Sequence, residues 1–258
     1  MKKLALILVL CCCVTLASAA QEISVAAAAD LSSVLPQIAA QFEKDTGRKV
    51  NLTFGSSGQF LLQIQNGAPF DLFFSADVLY PQRLEAEGLT QPDTMYKYAR
   101  GKLVLYVPKQ SPLDLSLGLR ALLSPEAKRI AIANPQHAPY GRAAAEALRK
   151  EGLYDALRQK IVMGENVSQA AQYVQSGNAD AGLIALSLAM SPVLRSAGRF
   201  VEVPASDYEA LEQAAIILKG AKDKAACALF LDYMRRPEIV KLLSEYGFML
   251  PEGKLRRP

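Results

Sequence analysis

Along most of the chain, short apolar runs rich in Val, Ile, Phe and Tyr alternate with stretches whose apolar residues recur every three or four positions. The short runs predict strands at 22–27, 49–54, 71–75, 102–108, 129–133, 160–163, 180–184 and 213–218, since such residues suit a pleated, buried surface. The longer stretches predict amphipathic helices. Leu31, Val34, Leu35, Ile38 and Phe42 form one helical stripe, and Val167, Ala170, Ala171 and Val174 form another. Repeated strand–helix alternation predicts an α/β fold of mostly parallel sheets with helices on both faces. This many strands and helices exceed one comfortable hydrophobic core, so two lobes are expected, one from 21–103 and 213–258 and the other from 104–212. No long Gly/Ser-rich or Pro-rich linker separates them, which predicts a pair of short hinge crossovers.

The amino terminus breaks this pattern. Lys2 and Lys3 precede an unbroken apolar run from Leu4 to about Leu16, followed by the small residues Ala17, Ser18, Ala19 and Ala20. This is the pattern of a secretory signal peptide, with cleavage expected near Ala19 or Ala20 and residues 1–20 removed. The run falls short of the ~20 residues that a membrane-spanning helix requires. The mature chain is therefore expected to be soluble and exported. Cys11, Cys12 and Cys13 lie inside the apolar run, and Leu10 stands where a lipid anchor would need a small residue. Only Cys227 remains in the mature chain, so no internal disulfide can form and the thiol reads as a core residue.

Composition narrows the function. The chain has 258 residues, 51% hydrophobic and 21% charged, which excludes disordered, collagen-like and multi-span membrane classes. Its formal charge of +4 includes Lys2 and Lys3, leaving little electrostatic footprint for nucleic acid after cleavage. A single histidine and one mature cysteine do not make a transition-metal ligand set. Ser56, Ser57 and His137 with an aspartate could form a hydrolase triad, but no G-x-S-x-G elbow accompanies them.

In open α/β sheets ligands bind beyond the carboxyl ends of the strands, where loops lead into helix starts with unpaired N–H groups. Four loops fit that description. Ala27 to Ser33 brings backbone close to a ligand, or Asp30 or Ser33 simply caps a helix. Gly55-Ser56-Ser57-Gly58 is either an anion nest or an ordinary strand-to-helix turn. Asn134 to Gly141 presents Tyr140 either as a donor into a cleft or as a packing residue. In Gly164 to Ser168, Asn166 is a plausible cap and the N–H groups of Val167 and Ser168 open a helix.

Taken together, Ala27-Ala28-Ala29-Asp30-Leu31, Thr53 to Gly58, Gly67 to Asp77, Asn134-Pro135 through Tyr140-Gly141, Gly164 to Val167 and Tyr246-Gly247-Phe248 resemble periplasmic molybdate-binding proteins of ABC transporters. The resemblance runs in order through the mature chain. It implies a two-lobed type II periplasmic binding fold, each lobe a mostly parallel sheet, closing on a tetrahedral oxyanion held by N–H and hydroxyl donors. It also implies a membrane permease with a cytoplasmic ATPase as partners, a monomer, and molybdate or tungstate as ligand, with no enzyme activity, cofactor or metal cation.

By motif position the resemblance implies Asp30, Ser57, Tyr140 and Val167 as the ligand-binding set. Two positions depart from the pattern: Asp30 stands in place of a binding Ser, and Ala185 stands where some members have a Tyr hydroxyl. Asp30 is therefore expected to offer its N–H and turn its carboxylate away, toward neighbouring amides, because an ionised carboxylate facing a dianion is repelled. The Tyr140 hydroxyl is expected to replace the one missing at Ala185. A different oxyanion or small polar solute is the alternative ligand, and an exported hydrolase the distant alternative.

Overall fold

The computed structural model describes residues 22–250, so the expected signal segment lies outside the described residues. Strands β1 (Ile23–Ala28), β2 (Val50–Gly55), β3 (Leu72–Ser75) and β4 (Tyr96–Gly101) alternate with helices α1 (Leu35–Thr46), α2 (Ser57–Gln65) and α3 (Leu79–Ala86). The chain continues through β5 (Leu103–Pro108), β6 (Ile130–Ala133), α4 (Pro139–Lys150), α5 (Tyr154–Leu157), β7 (Ile161–Gly164), α6 (Val167–Gln175), β8 (Ala181–Ala185), α7 (Leu186–Ala189), α8 (Pro192–Ala197) and β9 (Gly198–Glu202). It then enters β10 (Leu211–Ile217) and finishes with α9 (Lys224–Tyr233) and α10 (Pro237–Glu245).

The strands form two five-stranded sheets, ordered β2-β1-β3-β10-β4 and β7-β6-β8-β5-β9. In each sheet one strand is reversed: β10 runs antiparallel to β3 and β4, and β5 antiparallel to β8 and β9. The reversed strands are the ones by which the chain arrives from the other sheet, with no crossover helix before them. Only Lys102 separates β4 from β5, and residues 203–210 carry the chain back from β9 to β10.

Two strands, β4 and β9, were not expected from the sequence. Both are sheet edges, and β4 carries the exposed Lys97 and half-buried Arg100 among its apolar residues. An edge strand is covered incompletely, so its apolar pattern is diluted.

Local chemistry accounts for the helix that follows β1. Leu35, Ile38, Ala39 and Phe42 are buried on one face of α1, Pro36 sits in its first turn, and Gly47 at φ 71° ends it in the left-handed conformation. Phe42 meets Phe230 and Tyr233 edge-on, with ring centroids 4.9 and 5.3 Å away, which ties α1 to α9. Cys227 of α9 lies in the same core, where burial pushes its thiol up to about 12, far from reactive.

The two sheets are in contact. Ala28 at the end of β1, with Ala29 and Ala76 just beyond β1 and β3, packs into the core of the second sheet. Arg142 of α4 pairs with Asp77, and Gln59 Nε2 of α2 donates to Glu165 Oε2 over 2.8 Å. The side chains bordering the first contact are small, and this lets backbone approach backbone between the sheets.

Candidate functional site

The loops leaving β1, β2, β3, β6 and β7 converge where the sheets meet, around a cavity of about 10 Å³, roughly the room of one ordered water. Its wall comprises Ala28 to Asp30, Gly55 to Ser57, Ala76, Ala138 to Tyr140, and Asn166 with Val167. All four residues expected in the ligand-binding set, Asp30, Ser57, Tyr140 and Val167, are thus neighbours of one space, although 137 positions separate the first from the last.

Three of these walls are helix beginnings. The first N–H groups of a helix have no intrahelical acceptor and carry the positive end of its dipole. Ser56 caps α2 by accepting from the Gln59 N–H at 3.4 Å, and Asn166 caps α6 by accepting from the Gln169 N–H at 3.0 Å. Each cap consumes the third amide of its helix and leaves the first, on Ser57 or Val167, toward the cavity wall. In α4, Pro139 stands at the first position with no N–H to satisfy, and Tyr140 follows it. Ser57 Oγ accepts from the Ala76 N–H at 3.0 Å, so its hydroxyl hydrogen is not used in that bond. The fourth wall is the short 3-10 turn Ala29–Leu31, and α1 begins only at Leu35.

Asp30 is completely buried. Its Oδ2 accepts from the Tyr140 hydroxyl at 3.1 Å and from Gln213 Nε2 at 2.6 Å. Gln213 Nε2 also reaches Tyr140 Oη at 3.3 Å, and Tyr98 Oη donates to Gln213 Oε1 at 2.8 Å. Ser187 Oγ of α7 donates to the Asp30 carbonyl at 2.7 Å. Burial raises the Asp30 carboxyl to about 6, against the hydrogen bonds from Gln213 and Tyr140, which lower it. Burial, and then the Asp30 charge, push the phenols of Tyr98 and Tyr140 well above their usual range, so both stay neutral donors.

This geometry alters two expectations. The Tyr140 hydroxyl is spent on Asp30, so it does not stand in for a hydroxyl missing at Ala185, which is fully buried at the end of β8. The Asp30 carboxylate meets side-chain donors from α4 and β10; the Asp30 and Leu31 amides only add to lowering its charge cost. Gln213 escaped the sequence reading. Its signal was a fully buried polar residue within the apolar strand Leu211–Ile217.

His137 sits just outside the cavity wall. Its carbonyl accepts from the Gly58 N–H at 2.9 Å, and its Nδ1 lies 2.7 Å from Ser56 Oγ. Glu165 Oε2 is 3.6 Å from Nε2, beyond hydrogen-bond distance, and Ser56 Oγ is engaged as a helix cap. The trio fastens the first sheet's loop to the second's; Ser56 Oγ also reaches the His137 carbonyl at 3.0 Å, and Glu165 does not come within hydrogen-bond distance of the imidazole to complete a triad. Among the described residues no group of three or more His, Cys, Asp or Glu could hold a metal ion.

Two sheets joined by two crossovers, with helix starts from both converging on one small cavity, are the architecture of a two-lobed solute-binding protein. Residues 23–249 match the bacterial extracellular solute-binding protein family, and the chain belongs to it. The chain is 42% identical over 235 residues to the molybdate-binding protein ModA of Azotobacter vinelandii, covering 91% of this chain and 92% of that one. It is 37% identical to ModA of Rhodobacter capsulatus, covering 91% and 90%. The solved Azotobacter vinelandii periplasmic molybdate-binding protein superposes with a TM-score of 0.84 at 37% identity, over 89% of this chain and all of that one.

Proposed function

We propose that the chain is a periplasmic receptor that captures molybdate between its lobes and delivers it to the membrane permease of an ABC transporter. The observation that carries this reading is the convergence of three helix starts and a 3-10 turn on a cavity whose wall holds no cation. Relatives named for molybdate binding, matched over nine-tenths of the chain, support the choice of anion.

In this reading the N–H groups of Asp30, Ser57, Tyr140 and Val167 and the Ser57 hydroxyl hold the four oxygens of the anion. Residues 22–101 and 211–250 make one lobe and 103–202 the other, and they part to admit an anion larger than the closed cavity. Hydrogen bonds to a charged group contribute roughly 1.5–3 kcal/mol each, so about six would outweigh the costs of association and closure. Fixed donors also favour one anion size, and tungstate, of the same shape and charge as molybdate, is accepted with it. Sulfate is too small to touch every donor at once. Removal of residues 1–20, a monomeric state and a cytoplasmic ATPase driving the permease complete the proposal.

The test is thermal unfolding of the mature chain without ligand and with molybdate, tungstate, sulfate or phosphate at equal ionic strength. Anion at ~100 times its dissociation constant adds about 2.7 kcal/mol, a rise of roughly 5–11 °C for a chain of this size. That rise is expected with molybdate and tungstate and not with sulfate. No rise with any of the four sinks the proposal.

A further inference from the structure

Asp30 is the only charged residue in the cavity wall, and it is acidic where the proposed ligand is a dianion. Its Oδ2 is filled by Tyr140 and Gln213. Its Oδ1 is buried and, among the described residues, is the one buried side-chain nitrogen or oxygen with no hydrogen-bond partner; the Asp30 and Leu31 amides ease the carboxyl's charge without making a hydrogen bond to it of ordinary geometry. A buried acceptor left unpaired is costly, and it becomes costlier when negative charge arrives beside it. Protonation of Oδ1 removes both penalties at once. It neutralises the carboxylate and turns the one orphan acceptor into a donor.

We propose that Asp30 enters the anion complex as the neutral acid, so that each dianion captured takes up one proton from solution. This rests on reading the cavity as the anion site. The proton comes from water or buffer and sits on Oδ1; no other bond is made or broken.

The groups facing Asp30 leave no rival home for that proton. From α4 comes the Tyr140 phenol and from β10 the Gln213 amide; Tyr98 of β4 stands behind Gln213, and Ser187 of α7 bonds the Asp30 carbonyl. The titratable ones are phenols already held neutral, and Tyr208 bears on Asp30 only through Tyr140. The free carboxyl, raised to about 6, is ionised near neutral pH but only narrowly, so protonating it at about pH 7 costs about a factor of ten in affinity. An ionised carboxylate in the wall of a dry site opposes a dianion by more than that.

The experiment is titration calorimetry of the ligand-free native chain with molybdate near pH 7.5, in buffers of different ionisation enthalpy. The dependence of heat on buffer counts protons. Uptake of close to one proton is expected, with affinity weakening roughly fifty-fold between about pH 6 and about pH 8, a range in which molybdate itself does not titrate. In Asp30→Asn the count falls to near zero and the pH dependence flattens, whereas His137→Gln keeps the native count. Molybdate binding by the native chain without net proton uptake overturns the inference and leaves the molybdate reading intact. Absence of molybdate binding at every pH overturns that reading instead. If Asp30→Asn does not fold, the native buffer series decides alone. If it folds and still takes up a proton, the proton goes elsewhere and the inference fails.

Discussion

Closure of the cavity passes through one glycine. Gly58, the second residue of α2, donates its N–H to the His137 carbonyl across the junction of the two lobes. A methyl group there would lie 2.6 Å from that oxygen, 2.9 Å from the His137 Cα and 3.0 Å from its Cβ. Ordinary contact begins at 3.4 Å, so the loop must retreat by about 0.8 Å, and none of the three atoms can swing aside as a flexible side-chain end would. The retreat carries Tyr140 with it, because only Ala138 and Pro139 separate Tyr140 from His137. Gly58→Ala then costs the Gly58–His137 bond, about 0.5–1.5 kcal/mol, and stretches at least one donor to the anion, about 1.5–3 kcal/mol. Molybdate affinity should fall by roughly 2–4 kcal/mol, on the order of thirty- to a thousandfold.

Helix propensity pulls the other way, with or without the anion. Gly58 is not in the left-handed region, and alanine is favoured over glycine in a helix by up to about 1 kcal/mol. Calorimetric titration with molybdate and denaturant unfolding without it separate the two effects. Native affinity in Gly58→Ala would refute the idea that the lobes close to this contact when the anion binds. A fall in ligand-free stability that matched the affinity loss would assign the effect to folding.

Three further outcomes follow from the site. Asn166→Ala frees the Gln169 amide that the cap of α6 engages, and should lower stability by about 1 kcal/mol, a midpoint drop of roughly 2–4 °C, while also weakening molybdate binding as the first turn that holds the Val167 amide loosens. Because burial raises the Asp30 carboxyl from 3.8 to about 6, the folded chain holds this proton more tightly than the unfolded chain. Stability should therefore fall by about 3 kcal/mol as pH rises from about 4 through about 6, then level off; a constant gap between native and Asp30→Asn in denaturant unfolding across that range would contradict it. Tyr140→Phe deletes one donor to Asp30 and should cost roughly 1.5–3 kcal/mol of ligand-free stability at about pH 7 but less at about pH 5, where the acid is neutral. Equal losses at the two pH values would mean the phenol acts by packing alone.

Much of this molecule is legible in sequence because it is built from local signals. Fully buried strands such as Leu103–Pro108 announce themselves as apolar runs, and the caps Ser56 and Asn166 stand at helix starts where such side chains belong. The edges β4 and β9 were missed because half of each faces water and charged residues interrupt the pattern. The polar chain Asp30–Gln213–Tyr98 with Tyr140 could not be read at all. Its members come from four separate elements, and whether a buried tyrosine aims its hydroxyl at a ligand or at a neighbour depends on where those elements cross. Asp30 was recognisable as an anomaly; what it bonds to was not.

The cavity wall holds no lysine or arginine, and this bears on how the cargo leaves. A cation in the wall would cling to a departing oxyanion at any separation, by a force that fades only slowly with distance. Amides and hydroxyls lose their hold within a fraction of an ångström of stretch, and water replaces them once the walls part. A permease that pries the lobes open therefore has no residual electrostatic tether to overcome. At a given pH, retention and unloading then follow the gap between the two halves.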